Sequence, residues 1–281
     1  YRLGTVTFSE HSKIEPAVLQ RLLPFTPGTP YSSALVAKFS HNLQSTGYFQ
    51  QVRVDAVGEA DGPLEIPVRV SLEPIKPRTL SLGAGFSTDV GPRGRVGWER
   101  HRVNAQGHKL GFDSEVSQPR QNVSTWYQIP LSDPLNNYLR FATGYQREKL
   151  VDANSRLTNL AMQWHARLPS DWLRVVTLRW EEEKYNFGSG GKSGRSSFLM
   201  PGVGYSVLRS DSPLDPSQGY RLQWDVRGAK QDFLADADVL HVTALARGLY
   251  TLADKHRLLG RAQVGAIGTN DYDKVPPSLR F

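Results

Sequence analysis

The sequence predicts a mainly β protein, a transmembrane antiparallel β-barrel preceded by one small α+β domain, on three observations. Residues 78–281 read as about eleven amphipathic strands with turn residues between them, and such a series covers its edges only in a sandwich or a closed barrel. These strands run to about 10–14 residues, longer than the five or six typical of soluble sheets. Residues 1–77 instead read as strand, helix, helix, strand, strand, with Pro74 and Pro77 as a stiff link to the strand series. Bacterial outer-membrane barrels have an even number of strands, so a count of about eleven predicts an incomplete barrel.

In the small domain, residues 1–8 read as a strand. Residues 15–23 carry Ala17, Val18, Leu19, Leu22 and Leu23 and predict a short helix. The breaker-rich run Pro24-Phe25-Thr26-Pro27-Gly28-Thr29-Pro30 is a loop. Ser32 or Ser33 can cap a second helix over 34–45. There Leu35, Phe39 and Leu43, four apart, make one stripe towards a sheet, and Gly47 stops the helix. Phe49 should be buried with that stripe and Val52. Val52 and Val54 mark one strand; Ile66, Val68, Val70 and Leu72 mark the next, after residues 58–62.

In the strand series the period is two. Leu80, Leu82, Ala84 and Phe86 alternate with Ser81, Gly83, Gly85 and Ser87; Val96 and Trp98 with Arg95, Gly97 and Glu99. Leu110, Phe112 and Val116 alternate with Lys109, Gly111, Asp113 and Glu115; Tyr220, Leu222, Trp224 and Val226 with Arg221, Gln223, Asp225 and Arg227. In a sandwich the apolar face is the core; in a barrel it meets lipid and the charged face lines the lumen. The alternation alone does not choose. Strand length, tryptophans near strand ends as an aromatic girdle requires, and the alternation of connections favour the barrel. If the first strand leaves a periplasmic domain, periplasmic turns lie near 104–107, 130–137, 169–171, 208–219 and 251–256. The opposite set includes flexible segments at 184–196 and 228–237.

The formal charge is +7, and the whole excess lies in the strand series: 7 basic and 7 acidic residues in 1–77 against 27 and 20 in 78–281. These charges alternate with apolar residues, which disfavours a nucleic-acid face and suits a lumen wall or anionic lipid headgroups. The absence of cysteine excludes a disulfide framework and thiol chemistry. No run of about 18 apolar residues is present, which excludes transmembrane helices but not barrel strands. Tyr1-Arg2-Leu3 opens directly on a strand rather than a signal peptide, the expectation for a processed or trimmed chain.

No motif for covalent chemistry is found. Gly188-Ser189-Gly190-Gly191-Lys192-Ser193 would need a glycine where Asn186 stands, and no strand-to-helix context surrounds it, so it reads as a surface loop. The histidines show no metal spacing, and no Gly-x-Ser-x-Gly elbow occurs. Glu181-Glu182-Glu183 reads as a solvated strand end, with a divalent-ion or lipid A contact as the alternative. The lumen charges Arg95, Glu99, Asp113, Glu115, Arg221, Asp225 and Arg227 are expected to pair across strands. The expectation is a chain without catalytic residues, metal or cofactor.

Gly28-x-Pro30-Tyr31-Ser32, followed by Leu43-x3-Gly47-Tyr48-Phe49-x2-Val52, resembles the POTRA domain, the periplasmic module of the Omp85 superfamily. Leu80-Ser81-Leu82-Gly83-Ala84-Gly85-Phe86-Ser87-Thr88-Asp89-x-Gly91-Pro92 is similar to the first barrel strand of the TamA family within it. Gly97-Trp98-Glu99-Arg100, Asn104-x2-Gly107-His108, Ser117-Gln118-Pro119-Arg120, Leu199-Met200-Pro201-Gly202-Val203 and Pro216-x2-Gly219-Tyr220-Arg221-Leu222 continue the likeness in order. Pro276-Pro277-Ser278-Leu279-Arg280-Phe281 is similar to the start of the family's sixth extracellular loop. The Arg-Gly-aromatic motif of that loop and the last strands, which follow in the family, do not follow here. A terminal Phe can mimic a finished barrel's end, but Pro276-Pro277 cannot donate to a ladder.

The resemblance implies one POTRA domain over 1–77 and, over 78–281, the first part of a sixteen-stranded Omp85 barrel in the bacterial outer membrane. It implies a non-enzymatic insertase that assembles outer-membrane proteins such as autotransporters. Its partners would be a TamB-like inner-membrane-anchored protein, unfolded outer-membrane protein clients and outer-membrane lipid, with no nucleic acid. The implied site is the first-strand seam from Thr79 to Asp89, whose unpaired backbone templates a client strand. A general barrel-assembly machine and a two-partner-secretion transporter share the fold. A passive channel would need no POTRA domain.

Overall fold

The computed structural model describes residues 1–9, 13–56, 64–88, 91–149, 153–187, 193–212, 215–253 and 255–280. Asp89, Phe281, residues 58–62 and residues 188–192 of the glycine-rich run lie outside them. The chain forms two compact units. The first comprises Tyr1–Leu82, Val96–Asp113 and Trp126–Leu139; the second comprises Gly83–Arg95, Ser114–Thr125 and Arg140–Phe281.

The small domain has the elements β1 (Arg2–Phe8), α1 (Pro16–Gln20), α2 (Ser33–Ser45), β2 (Phe49–Ala56) and β3 (Glu65–Pro74). Its sheet order is β1-β3-β2, with β1 parallel and β2 antiparallel to the central β3. Strict alternation on β3 buries Ile66, Val68, Val70 and Leu72 on one face. Phe39 and Leu43 of α2 are fully buried in the same core, Phe49 is buried, and Leu35 and Val52 pack at its margin. Phe39 meets Phe25 and Phe8 edge-on, at centroid distances of 5.8 and 6.4 Å, the geometry that aromatic quadrupoles favour.

Two helix expectations are corrected. α1 spans five residues and not 15–23; Pro24 excludes helical geometry at Leu23, so the chain leaves in a turn. Ser32 occupies the N-cap of α2 but makes no side-chain cap bond. Its backbone carbonyl accepts from the N–H groups of Leu35 and Val36 instead. At the other end the Thr46 hydroxyl donates to the Leu43 carbonyl at 2.6 Å. Gly47 then takes a φ of +70°, which glycine adopts without a Cβ penalty.

Eleven further strands form one sheet in chain order. They are β4 (Arg78–Ser87), β5 (Gly91–Arg100), β6 (Lys109–Ser117), β7 (Arg120–Pro130), β8 (Asn137–Lys149), β9 (Ala153–Arg167), β10 (Leu173–Phe187), β11 (Ser193–Ser210), β12 (Gln218–Ala229), β13 (Val239–Leu252) and β14 (His256–Thr269). Their lengths run from 9 residues in β6 to 18 in β11. The connections expected on the POTRA-like side fall at 101–108, 131–136, 168–172, 211–217 and 253–255. Of the segment 184–196, residues 184–187 and 193–196 are strand, since β10 continues to Phe187 and β11 begins at Ser193, paired from Asn186↔Ser193 onward; residues 188–192 lie outside the described residues.

The two faces decide between sandwich and barrel. A sandwich would bury the large apolar set, yet Leu82 is 73% and Phe86 76% exposed, and Val96, Phe112, Leu222 and Trp224 are also exposed. Trp98 is half-buried. Trp126 does not belong to a girdle: a Cβ on Gly111 would lie 2.3 Å from its ring, so Trp126 fills the space that Gly111 leaves on the opposite, polar face. Trp180 and Trp224 stand in mid-strand, the latter stacked on Tyr205 at 4.6 Å.

The glutamate run is also corrected. Glu181 and Glu183 are 3% and 2% exposed, and only Glu182 faces the other way, paired with Arg195 at 2.6 Å. Residues 272–280 cover the polar face there. Val275 and Leu279 close a core with Phe198, Met200, Ala237 and Val239. The Ser196 and Tyr185 hydroxyls donate to the Lys274 and Asp273 carbonyls at 2.6 and 3.0 Å, and the Ser278 N–H donates to Glu183 at 3.3 Å. Period two placed alternate glutamates on opposite faces; sequence could not show that Pro276 and its neighbours fold back. Among the charges expected on the polar face, Arg227 pairs with Asp225 at 2.9 Å along its own strand.

Candidate functional site

β4 is an edge strand. Among the described residues it pairs with β5 alone, and β14 stands at the opposite edge of the sheet. Every residue from Arg78 to Ala84 is exposed. Leu80, Leu82, Ala84 and Phe86 lie on the apolar face; Ser81, Gly83, Gly85 and Ser87 lie on the other. A Cβ on Gly85 would come within 3.0 Å of the Arg93 guanidine, and one on Gly83 within 3.7 Å of the Arg95 Cβ. The glycines thus let the β5 arginines lie close over β4, while β4 offers few side-chain contacts of its own. Thr79 Oγ1 lies 2.7 Å from His101 Nε2 and ties down the start of the strand. Thr79 through Thr88 are described; Asp89 is not.

Beside the start of β4, the first unit holds a clamp that joins sequence motifs far apart. Burial brings Tyr48 to 4% exposure, and its hydroxyl donates to the Gly107 carbonyl at 2.6 Å. Gly107 has a φ of +79°, and a Cβ there would sit 2.5 Å from the Tyr48 oxygen. Its turn is closed by Asn104, whose side-chain oxygen accepts from the His108 N–H at 3.0 Å. Lys109 donates to the Thr46 carbonyl at 2.6 Å and lies 5.0 Å from the Tyr48 ring centroid. The Glu15 N–H donates to the Ala105 carbonyl at 2.9 Å, the Glu15 carboxylate accepts from Gln106, and Arg102 and Arg21 donate to the Lys13 and Leu131 carbonyls, each at 2.9 Å. Leu135 of the next turn packs on the small-domain core. Sequence reading found both motifs but not Tyr48 as their link, because nothing local says which turn a phenol 59 residues away will reach.

Burial pushes the Tyr48 phenol above its ordinary value. The folded state therefore holds this proton more tightly than the unfolded chain. Tyr48's contribution is present below the ordinary phenol range and falls as pH rises past about 10. In Tyr48→Phe that alkaline loss should shrink, and at neutral pH the orphaned Gly107 carbonyl should cost about 1–2 kcal/mol. Melting curves between neutral and alkaline pH check both; an unchanged alkaline profile would remove Tyr48 as its source.

Parts of this chain are similar to known proteins. Residues 1–74 match the POTRA family, described as a surface antigen variable number repeat. The outer membrane protein assembly factor BamA of Neisseria meningitidis serogroup B (strain ATCC BAA-335 / MC58) is 22% identical over 187 residues, which cover 66% of this chain and 23% of that protein. The structure of BamA from Haemophilus ducreyi lacking POTRA domains 1–3 aligns with a TM-score of 0.73 at 12% identity, over 97% of this chain and 56% of that one. CdiB from Acinetobacter baumannii aligns at 0.54 with 16% identity, over 94% and 52% of the two chains. CdiB from Escherichia coli aligns at 0.56 with 12% identity, over 96% and 54%. The chain thus spans under a quarter of the curated relative and about half of the solved chains. The fold is the Omp85-type transmembrane β-barrel with a POTRA domain in front of it, and the POTRA match with the BamA likeness supports the Omp85 superfamily.

Proposed function

We infer that this chain is part of an outer-membrane insertase that assembles β-barrel proteins by offering β4 as a template to client strands. The boundary between its domains is placed at 77/78, with the POTRA domain in the periplasm and the strand series in the outer membrane. The observation that carries the reading is the glycine pair at 83 and 85 in β4, the first strand after a segment that matches the POTRA family. In an antiparallel ladder every second residue addresses the same neighbour, so about five residues of β4 direct backbone groups to its open edge. Unpaired groups in hydrocarbon cost several kcal/mol each, so a client strand that pairs there is strongly favoured. The glycines at 83 and 85 suit an edge that must separate and pair again.

Assembly of this kind needs no covalent chemistry and no cofactor. On the motif likeness we place the protein with the TamA family, with autotransporters among its clients and a TamB-like protein as its inner-membrane-anchored partner. Single cysteines from Leu80 to Thr88 in the full-length protein, probed with a stalled autotransporter client carrying one cysteine, test the reading. Crosslinks should form in a register that advances one client residue per β4 residue. Crosslinks confined to the polar-face side chains, without register, would favour passage through the lumen. That outcome fits the second reading, a two-partner-secretion transporter, which the fold likeness to CdiB supports.

A further inference from the structure

We propose that the apolar face of the sheet ends, at β8–β11, in a binding site for the phosphate groups of lipid A in the outer leaflet. The site rests on the outer-membrane reading above but lies away from β4. On the apolar face β9 and β10 pair in register: Val176↔Trp164, Leu178↔Met162, Trp180↔Leu160, then Glu182↔Thr158 and Lys184↔Arg156. Leu160, Met162, Trp164, Val176 and Leu178 are all exposed. From Arg174, which lies over the Trp164 ring at 4.6 Å, to Lys184 is about 33 Å of strand, or about 23 Å along the normal at a 45° tilt. That matches an apolar band of about 25 Å with cations at both borders.

The border at Lys184 belongs to the ends opposite the turns at 168–172 and 211–217. There Arg156, Lys184 and Arg195 occupy three successive cross-strand positions, and like charges directly opposite each other are destabilising. Glu182 relieves two of them, Arg195 at 2.6 Å and Lys184 at 3.7 Å. Arg147 and Lys149 add to the cluster, and with Arg156 and Lys184 they line a recess of about 460 Å³. Glu148 is engaged by Arg120 at 2.6 Å. Among the described residues no carboxylate forms an ion pair with Arg147, Lys149 or Arg156. An excess of cations directly above exposed apolar side chains fits one amphiphile: acyl chains along the band and phosphates in the recess. The outer leaflet supplies that as lipid A.

Full-length protein purified in detergent, incubated with bisphosphorylated or fully dephosphorylated lipid A and then washed, tests the site through the lipid retained. The intact protein should retain the bisphosphorylated form selectively. Each basic residue near an anionic surface contributes roughly fivefold in affinity, so Arg156→Gln with Lys184→Gln should weaken retention about 30-fold, and Arg156→Lys with Lys184→Arg should keep it. Equal retention of the two lipids by intact protein overturns the proposal without any variant, as does unchanged retention by the glutamine pair. A heat-modifiable gel shift reports the folded barrel in each sample. If it is present without lipid selectivity, only this site falls; if the intact protein never shows it, the outer-membrane reading falls as well.

Discussion

A disulfide joining β4 to its closing partner strand in the full-length protein should stop client assembly while the barrel remains folded. The edge of β4 offers backbone groups from about five residues, and each backbone bond is worth about 1 kcal/mol net. Withholding them removes roughly 5 kcal/mol from the templated step, about 5,000-fold in rate. Reductant should restore assembly in the same sample, which separates locking from damage. The measurement is the rate of autotransporter folding into vesicles, with the gel shift as folding control. Full activity in the locked protein would end the templating mechanism and leave the fold assignment standing. Of residues 79–89 the locking positions are best chosen among 80–88, where the apolar face and the glycines alternate.

Phe39→Ala should unfold the POTRA domain while sparing the strand series. Phe39 is fully buried and meets both Phe8 and Phe25 edge-on. Truncating such a ring costs about 3–5 kcal/mol from lost transfer energy and the cavity left behind. That is comparable to the whole stability of a small domain, which rarely exceeds a few kcal/mol from a single core. Limited proteolysis of the full-length protein should then cut within 1–74, while the gel shift of the barrel persists. A protease-resistant POTRA domain in this variant would mean that the aromatic triad contributes far less than its burial implies. The clamp should open with the domain, since Tyr48 belongs to the same core.

Much of this could be read from the residues, because two short periods carry most of the information. Leu35, Phe39 and Leu43 at a spacing of four face the sheet through helix geometry alone, and alternation along residues 80–87 sorts each side chain to one face. A strand of period two admits no other local solution, so the strand count and the order of the sheet followed from pattern and turn residues. The direction of the apolar face did not follow from the alternation; strand length and the connections favoured the barrel. A core and a lipid face carry the same alternation, and the exposure of Leu82 and Phe86 bears the barrel out.

What the sequence determined by itself is therefore local: the small α+β domain, the eleven strands, the turns, and β4 as the first strand behind the domain. Contacts between distant segments were decided by tertiary structure. Tyr48 reaches Gly107, Trp126 fills the space over Gly111, and the segment 272–280 folds back onto Glu183 through Ser278. The same is true of the basic cluster at Arg156, Lys184 and Arg195, whose members lie on three strands and meet only through their register. The physical reason is that backbone geometry imposes periodicity on each segment alone, whereas strand register and the return of a loop depend on which surfaces fit one another.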